Sequence, residues 1–245
     1  MAALPMATLA LAHTPDVLIF DWDGTLLNSV DPLLHMTSET GLAVPQASPS
    51  HLMNRVLEML YSNHPMGLED MRVVLGWEQS ALATQPCQLF DGVASMLERL
   101  ARSTIPLALI SGRKSSEVRQ ELRALGLEHT FQVVLGQEDA EPKPSPQLID
   151  TILSRLGARP ERSVLIGDAT VDMEMATLAG IPAVGVAYAV AGQEAASRET
   201  LHHWHPLKIV SSVGELADWL EACCLGSTQF APRFTASLGS ASPSL

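Results

Sequence analysis

Asp21 and Asp23 stand two residues apart in Asp21-Trp22-Asp23-Gly24-Thr25-Leu26, directly after the apolar run Val17-Leu18-Ile19-Phe20. The run reads as a buried parallel strand, and ligands sit at the carboxyl ends of such strands. Two like charges about 4 Å apart repel by roughly 4 kcal/mol at an effective dielectric of 20. A buried carboxylate pair therefore calls for a cation. The implied chemistry is metal-assisted, with one aspartate as nucleophile and the other moving a proton. Two other readings compete: a plain Asp-Gly turn, and the start of a calcium loop. The following residues, Thr25-Leu26-Leu27-Asn28-Ser29-Val30, do not supply the ladder of oxygen ligands and the later Glu that a calcium loop needs.

Three further polar segments follow predicted strands. Ser111-Gly112-Arg113 follows 107–110, Glu141-Pro142-Lys143-Pro144-Ser145-Pro146 follows 133–135 after a short loop, and Gly167-Asp168-Ala169-Thr170-Val171-Asp172 follows 164–166. Right-handed crossovers bring all these strand ends to one edge of a sheet. Asp21, Asp23, Ser111, Lys143, Asp168 and Asp172 can therefore converge. Taken singly, Ser111, Asp168 or Thr170 reads equally well as a helix cap, and Lys143 as a solvated loop residue. Four carboxylates, one hydroxyl and one ammonium, all at strand ends, exceed what capping explains.

The elements that must position them follow from hydrophobic period. Helices are expected over 93–102, 117–125, 146–156, 171–178 and 213–221, with glycine stops at Gly126, Gly157 and Gly180. Strands are expected over 107–110, 133–135, 164–166, 183–186 and 209–210. This alternation predicts an α/β fold, a Rossmann-like parallel sheet flanked by helices. Residues 32–85 break the pattern and read as short helices, a small α-helical cap inserted after the first strand. The catalytic core is then 15–31 plus 86–225, with a flexible arm over 1–14 and a Ser/Gly/Ala/Pro-rich disordered tail over 226–245. An insert leaving the sheet beside the paired aspartates is placed to face substrate.

Composition narrows the class. The chain has 245 residues, 47% apolar but only 4% aromatic, so its core must be aliphatic. A formal net charge of −12 argues against a nucleic-acid partner. An anionic substrate must be held by local groups rather than by the global field. Cys87, Cys223 and Cys224 show no Cys-x-x-Cys spacing, so a zinc site or disulfide framework is not expected. Free thiols fit a reducing, cytoplasmic location. The apolar start, 1–12, lacks a basic region and is too short to span a membrane, and no other run approaches that length.

In order, Asp-x-Asp-Gly-Thr, a Ser after a strand, a Lys and Gly-Asp-x-x-x-Asp resemble the four motifs of the haloacid dehalogenase-like superfamily of aspartate-nucleophile phosphatases. The chain is similar to its phosphoglycolate-phosphatase-like branch, with a helical cap between the first two motifs, over about 16–221. The resemblance implies that Asp21 attacks the phosphoryl group and forms an aspartyl-phosphate. It implies that Asp23 protonates the leaving oxygen and then activates water. Magnesium would sit on Asp21, the backbone carbonyl of Asp23, and Asp168. Asp172 would orient Lys143 or a metal-bound water. Gly24, Thr25, Ser111, Gly112 and Lys143 would hold the substrate phosphoryl group.

There are departures from the pattern. Gly112 stands where the branch usually has Asn, which removes one donor near the leaving group. Asn28 stands where an Asp is frequent, and the insert is short for its class. His202-His203-Trp204-His205 resembles a metal cluster but reads better as a polar loop. Arg113 and Lys114 read as pocket rim or solvated residues, and Arg55 and Arg72 are the only arginines of the insert that could meet a second anionic group. The expected function is a magnesium-dependent phosphatase of a small phosphorylated metabolite. A phosphomutase on the same scaffold and a noncatalytic phosphate-binding protein are the alternatives. A dehalogenase has no use for an acid at Asp23. Neither the substrate nor the oligomeric state is legible.

Overall fold

The structure is a computed structural model that describes residues 13–29, 88–189 and 192–225. Six strands form one sheet: β1 (Val17–Asp21), β4 (Leu107–Ile110), β5 (Val133–Leu135), β6 (Ser163–Gly167), β7 (Ala183–Val186) and β8 (Lys208–Val210). Their spatial order is β5-β4-β1-β6-β7-β8, and every neighbouring pair is parallel. β1 lies near the middle, paired with β4 on one side and β6 on the other. All five of its residues are buried. That is why its sequence is continuously apolar up to Asp21 rather than alternating.

The alternation appears instead in which layer each residue meets. Leu18 and Phe20 face one layer of core, together with Leu107, Leu109, Val164 and Ile166. Val17 and Ile19 face the other, with Ala108, Ile110 and Leu165. The first layer is closed by α1 (Val93–Ala101), α2 (Ser115–Ala124) and α6 (Val213–Leu220). The second is closed by α3 (Gln147–Leu156), α4 (Thr170–Ala179) and α5 (Glu194–His202). In α3, Leu148, Ile149, Ile152 and Leu153 are buried, the i, i+1, i+4, i+5 stripe of a helix lying on a sheet. Each such side chain contributes about 1.5–3 kcal/mol on burial. The stripe ends where Gly157 takes φ 62° at the C-terminus of α3.

Two features go beyond the sequence reading. β2 (Leu27–Asn28) and β3 (Gln88–Leu89) form a short antiparallel ribbon. Strands of two residues are too short to show a period. The helix α5 also had no predicted counterpart, because only Ser197 and Leu201 of its nine residues are buried. His202 is therefore the last residue of a helix rather than part of a polar loop. The cap expected over 32–85, the arm before residue 13 and the tail over 226–245 lie outside the described residues. Among the described residues no helix is long and apolar enough to cross a membrane.

Candidate active site

The sheet order makes the carboxyl end of β1 a switch point. From β1 the connections run to β4 and β5 on one side, and from β6 to β7 and β8 on the other. The loops diverge there and leave a crevice, the usual ligand position in open parallel sheets. Asp21 is the last residue of β1, and Asp168 follows the last residue of β6.

Three buried carboxylates meet in this crevice. Oxygens of Asp21, Asp168 and Asp172 all lie within 4.8 Å of one another. The Lys143 ammonium reaches in from the loop after β5. It donates to Asp21 Oδ1, and to Asp172 Oδ1 at 2.7 Å. Asp172 is fixed from its other oxygen, since Oδ2 accepts the Ala169 N–H at 3.1 Å. Asp168 accepts the Thr25 hydroxyl at 3.0 Å, and the Thr25 carbonyl in turn accepts the Tyr188 phenol at 2.8 Å. Close approach to this cluster requires a glycine at Gly24. It takes φ 80°, and a Cβ there would lie 2.5 Å from Asp168 Oδ2.

Burial dominates the electrostatics. Asp21 is pushed up to about 7, first by desolvation, then by the charges of Asp172 and Asp23, against the opposing pull of Lys143. Asp168 is held well above the ordinary carboxylate range by the same burial and by Asp21 and Asp172. For Lys143, burial works against its charge, but Asp172 and Asp21 outweigh it and its proton is held more tightly than usual. One ammonium does not balance three crowded carboxylates. The all-oxygen donor set fits a hard divalent cation such as magnesium.

Asp23 lies apart from the carboxylate cluster. Its Oδ2 sits 3.4 Å from the Ser111 hydroxyl and its Oδ1 3.4 Å from Arg113 Nη1. Ser111 is fully buried, and its oxygen also accepts the Arg113 N–H at 3.0 Å. The site thus divides into a carboxylate cluster around Asp21 and a separate group of Asp23, Ser111 and Arg113.

All the residues singled out at strand ends are found along this one edge. Thr25, expected to hold substrate, is fully buried with its hydroxyl donated to Asp168. Asp172 contacts Lys143 directly. Apart from its chain neighbours, nothing among the described residues lies within 4 Å of where a Cβ on Gly112 would stand. Asn28 belongs to β2. Arg55 and Arg72 lie outside the described residues. Arg113, read as rim or solvent, instead ion-pairs with Asp23 and Glu121. Glu121 and Tyr188 were missed. The only sequence signal for Glu121 is its i, i+4 spacing from Glu117 on the predicted helix. His203 makes a local contact with the Glu199 carbonyl, and His202 and His205 stack edge to face.

Comparison with known proteins places this geometry in context. The family model described as haloacid dehalogenase-like hydrolase matches residues 18–186. The pyrophosphatase PpaX of Listeria innocua is 28% identical over 188 residues, covering 72% of this chain and 85% of PpaX. The tyrosine-protein kinase PtkA of Mycobacterium tuberculosis is 29% identical over 186 residues, covering 72% of this chain and 63% of PtkA. A solved structure from Haemophilus somnus, described as a predicted phosphoglycolate phosphatase, superposes with a TM-score of 0.62 at 24% identity. It covers 86% of this chain and 99% of that one.

Proposed function

The chain belongs to the haloacid dehalogenase-like hydrolases, and we propose that it is a magnesium-dependent phosphatase acting on a small phosphorylated metabolite through an aspartyl-phosphate. The observation that carries this reading is the Lys143 ammonium bridging Asp21 and Asp172 beside Asp168, at the switch point of the sheet. A phosphoryl group brought to that point meets a carboxylate nucleophile with positive charge beside it. A noncatalytic protein has no need for such a set, and every member is present.

Asp21 attacks phosphorus, and the bond to the leaving oxygen breaks. Asp23 gives that oxygen its proton, then takes a proton from the water that attacks the aspartyl-phosphate. Lys143 offsets charge on the phosphoryl oxygens, and Asp172 keeps Lys143 aimed by its 2.7 Å contact. The Ser111 hydroxyl and Gly112 amide receive the remaining oxygens. Magnesium, held by Asp21, Asp168 and the Asp23 carbonyl, supplies charge against the phosphoryl group when bound. Asp21 must be ionised to attack, and burial together with the charges of Asp172 and Asp23 pushes it up to about 7 against the pull of Lys143, so a neighbouring cation would favour the attacking form.

The test is a panel of phosphomonoesters and pyrophosphate assayed with magnesium and with chelator. Phosphoglycolate and pyrophosphate come first because relatives carry those names. Turnover that persists in chelator would remove the metal from the mechanism. Rapid quench of Asp23→Asn with nitrophenyl phosphate should show a nitrophenol burst followed by a slow phase. The leaving group there needs little protonation, while hydrolysis of the intermediate still needs the base. Absence of the burst, with wild-type steady state, argues that Asp23 is not the base that hydrolyses the intermediate.

A further inference from the structure

We propose that Arg113, gripped by Glu121, is a positioning residue that fixes the orientation of the Asp23 carboxylate for proton transfer. This rests on the acid–base reading of Asp23 given above. Both oxygens of Asp23 are engaged, one by the Ser111 hydroxyl and one by Arg113 Nη1, each at 3.4 Å. These are long for hydrogen bonds but within ion-pair reach for the guanidinium. Rotation of the carboxylate is thereby restrained from both sides.

Arg113 is itself held. Its Nη2 and Nη1 form a fork on Glu121, at 2.8 and 3.1 Å. Its Nε lies 3.8 Å from Glu117, one turn earlier on the same face of α2. Glu121 Oε2 also accepts the indole N–H of Trp22 at 2.8 Å. Trp22 is fully buried and stands between Asp21 and Asp23 in the chain. Glu121 therefore ties the arginine to the same rigid segment that carries both aspartates.

This arrangement separates Arg113 from a substrate anchor. Its guanidinium donors are directed at Glu121 and Asp23, with Glu117 alongside, and its side chain is only 24% exposed. Arginine suits the task because its planar fork can meet two carboxylates in fixed geometry. The proton path is unchanged: Asp23 delivers its proton to the leaving oxygen as the phosphorus–oxygen bond breaks, then recovers one from the attacking water.

The experiment compares a simple alkyl phosphate with nitrophenyl phosphate in the wild type, Asp23→Asn, Arg113→Ala and Glu121→Gln. Inorganic phosphate inhibition reports phosphoryl binding. Complete loss of general acid catalysis is worth about 10²–10⁴-fold, so misaiming in Arg113→Ala should slow alkyl phosphate turnover by roughly 10-fold or more. The nitrophenol burst rate should change by less than about threefold, and phosphate inhibition by less than about twofold, because neither uses the proton of Asp23. Glu121→Gln keeps the size of the side chain and an acceptor for Trp22. It should show the same leaving-group bias to a smaller degree, and it carries the test if Arg113→Ala does not fold. Equal slowing of alkyl phosphate turnover and of the nitrophenol burst, or no slowing, overturns the proposal. So does weaker phosphate inhibition with KM raised and kcat kept, which would make Arg113 a substrate contact. Bias in Asp23→Asn without bias in the other two removes the clamp alone. No bias in Asp23→Asn removes the acid–base role of Asp23 and the clamp with it.

Discussion

Asp21 and Thr25 lie four positions apart and answer different questions about the site. Asp21→Asn keeps the shape of the side chain and an acceptor for Lys143, but removes the proposed nucleophile. Turnover should fall by roughly 10⁴-fold or more, as for other nucleophile deletions. The melting temperature in metal-free buffer at neutral pH should not fall, because the substitution removes one of three crowded carboxylates. Near wild-type turnover would mean that the nucleophile lies elsewhere. Thr25→Val is close to isosteric and removes the hydroxyl that Asp168 accepts at 3.0 Å. Partners of metal-binding carboxylates are typically worth about 10–100-fold in metal affinity. Magnesium titration followed by thermal shift should show a loss of that order, with KM for substrate at saturating magnesium little changed. A raised KM at unchanged magnesium affinity would instead make Thr25 a substrate contact.

At the scale of elements, the β2–β3 ribbon matters most. Leu27 pairs with Leu89 and Asn28 with Gln88, so the chain leaves and returns at one place, close beyond the carboxyl end of β1. Phe90 N–H donates to the Leu26 carbonyl, which extends the closure by one step. Such a closed pair of ends lets a segment be exchanged without disturbing the sheet. A chimera in which 32–85 is replaced by the corresponding segment of a relative should fold. Its preference among phosphomonoesters should change more than its rate on nitrophenyl phosphate, because the aspartates, Ser111 and Lys143 all lie outside the exchanged piece. A folded chimera that keeps the original preference would assign specificity to the core.

At the scale of the whole molecule, the site couples to stability through protons. The proton on Asp21 is held to about 7 in the folded chain, against an ordinary value of 3.8. A carboxylate with a raised folded value favours the folded state fully only below its unfolded value. That contribution is lost as pH rises from about 4 to about 7, where the folded chain must ionise a buried group. Asp168, shifted in the same direction, adds to the effect. A cation bound at these carboxylates would displace the protons and relieve the repulsion. The rise in melting temperature on adding magnesium should therefore be larger at about pH 8 than at about pH 5, with apparent affinity falling on the acid side. Equal stabilisation at both values would show that the cation does not compete for these carboxylates.

The parts that depend on local pattern were legible in the chain alone. Apolar runs followed by polar residues marked β1, β4, β5 and β6, and right-handed parallel connectivity allowed Asp21, Ser111, Lys143 and Asp168 to converge at one edge. Helices with a full apolar stripe, such as α3, were legible for the same reason. The helix α5 was not, because burying two of nine residues leaves no period to read. The orientation of side chains that cross between elements depends on how the elements pack. Arg113 follows a strand and precedes a helix, so nothing in its neighbours says whether it points to solvent or to Asp23. Its direction is set by Glu121, 8 positions away, which is itself held by the buried indole of Trp22, 99 positions from it. The Thr25 hydroxyl is directed to Asp168 across 143 positions, and Tyr188 reaches Thr25 across 163. Sequence spacing predicts which strand ends share an edge, because the handedness of the crossover is nearly invariant. It does not predict which of several nearby donors a buried oxygen accepts. That choice depends on packing distances of a few tenths of an ångström, which only the assembled core fixes.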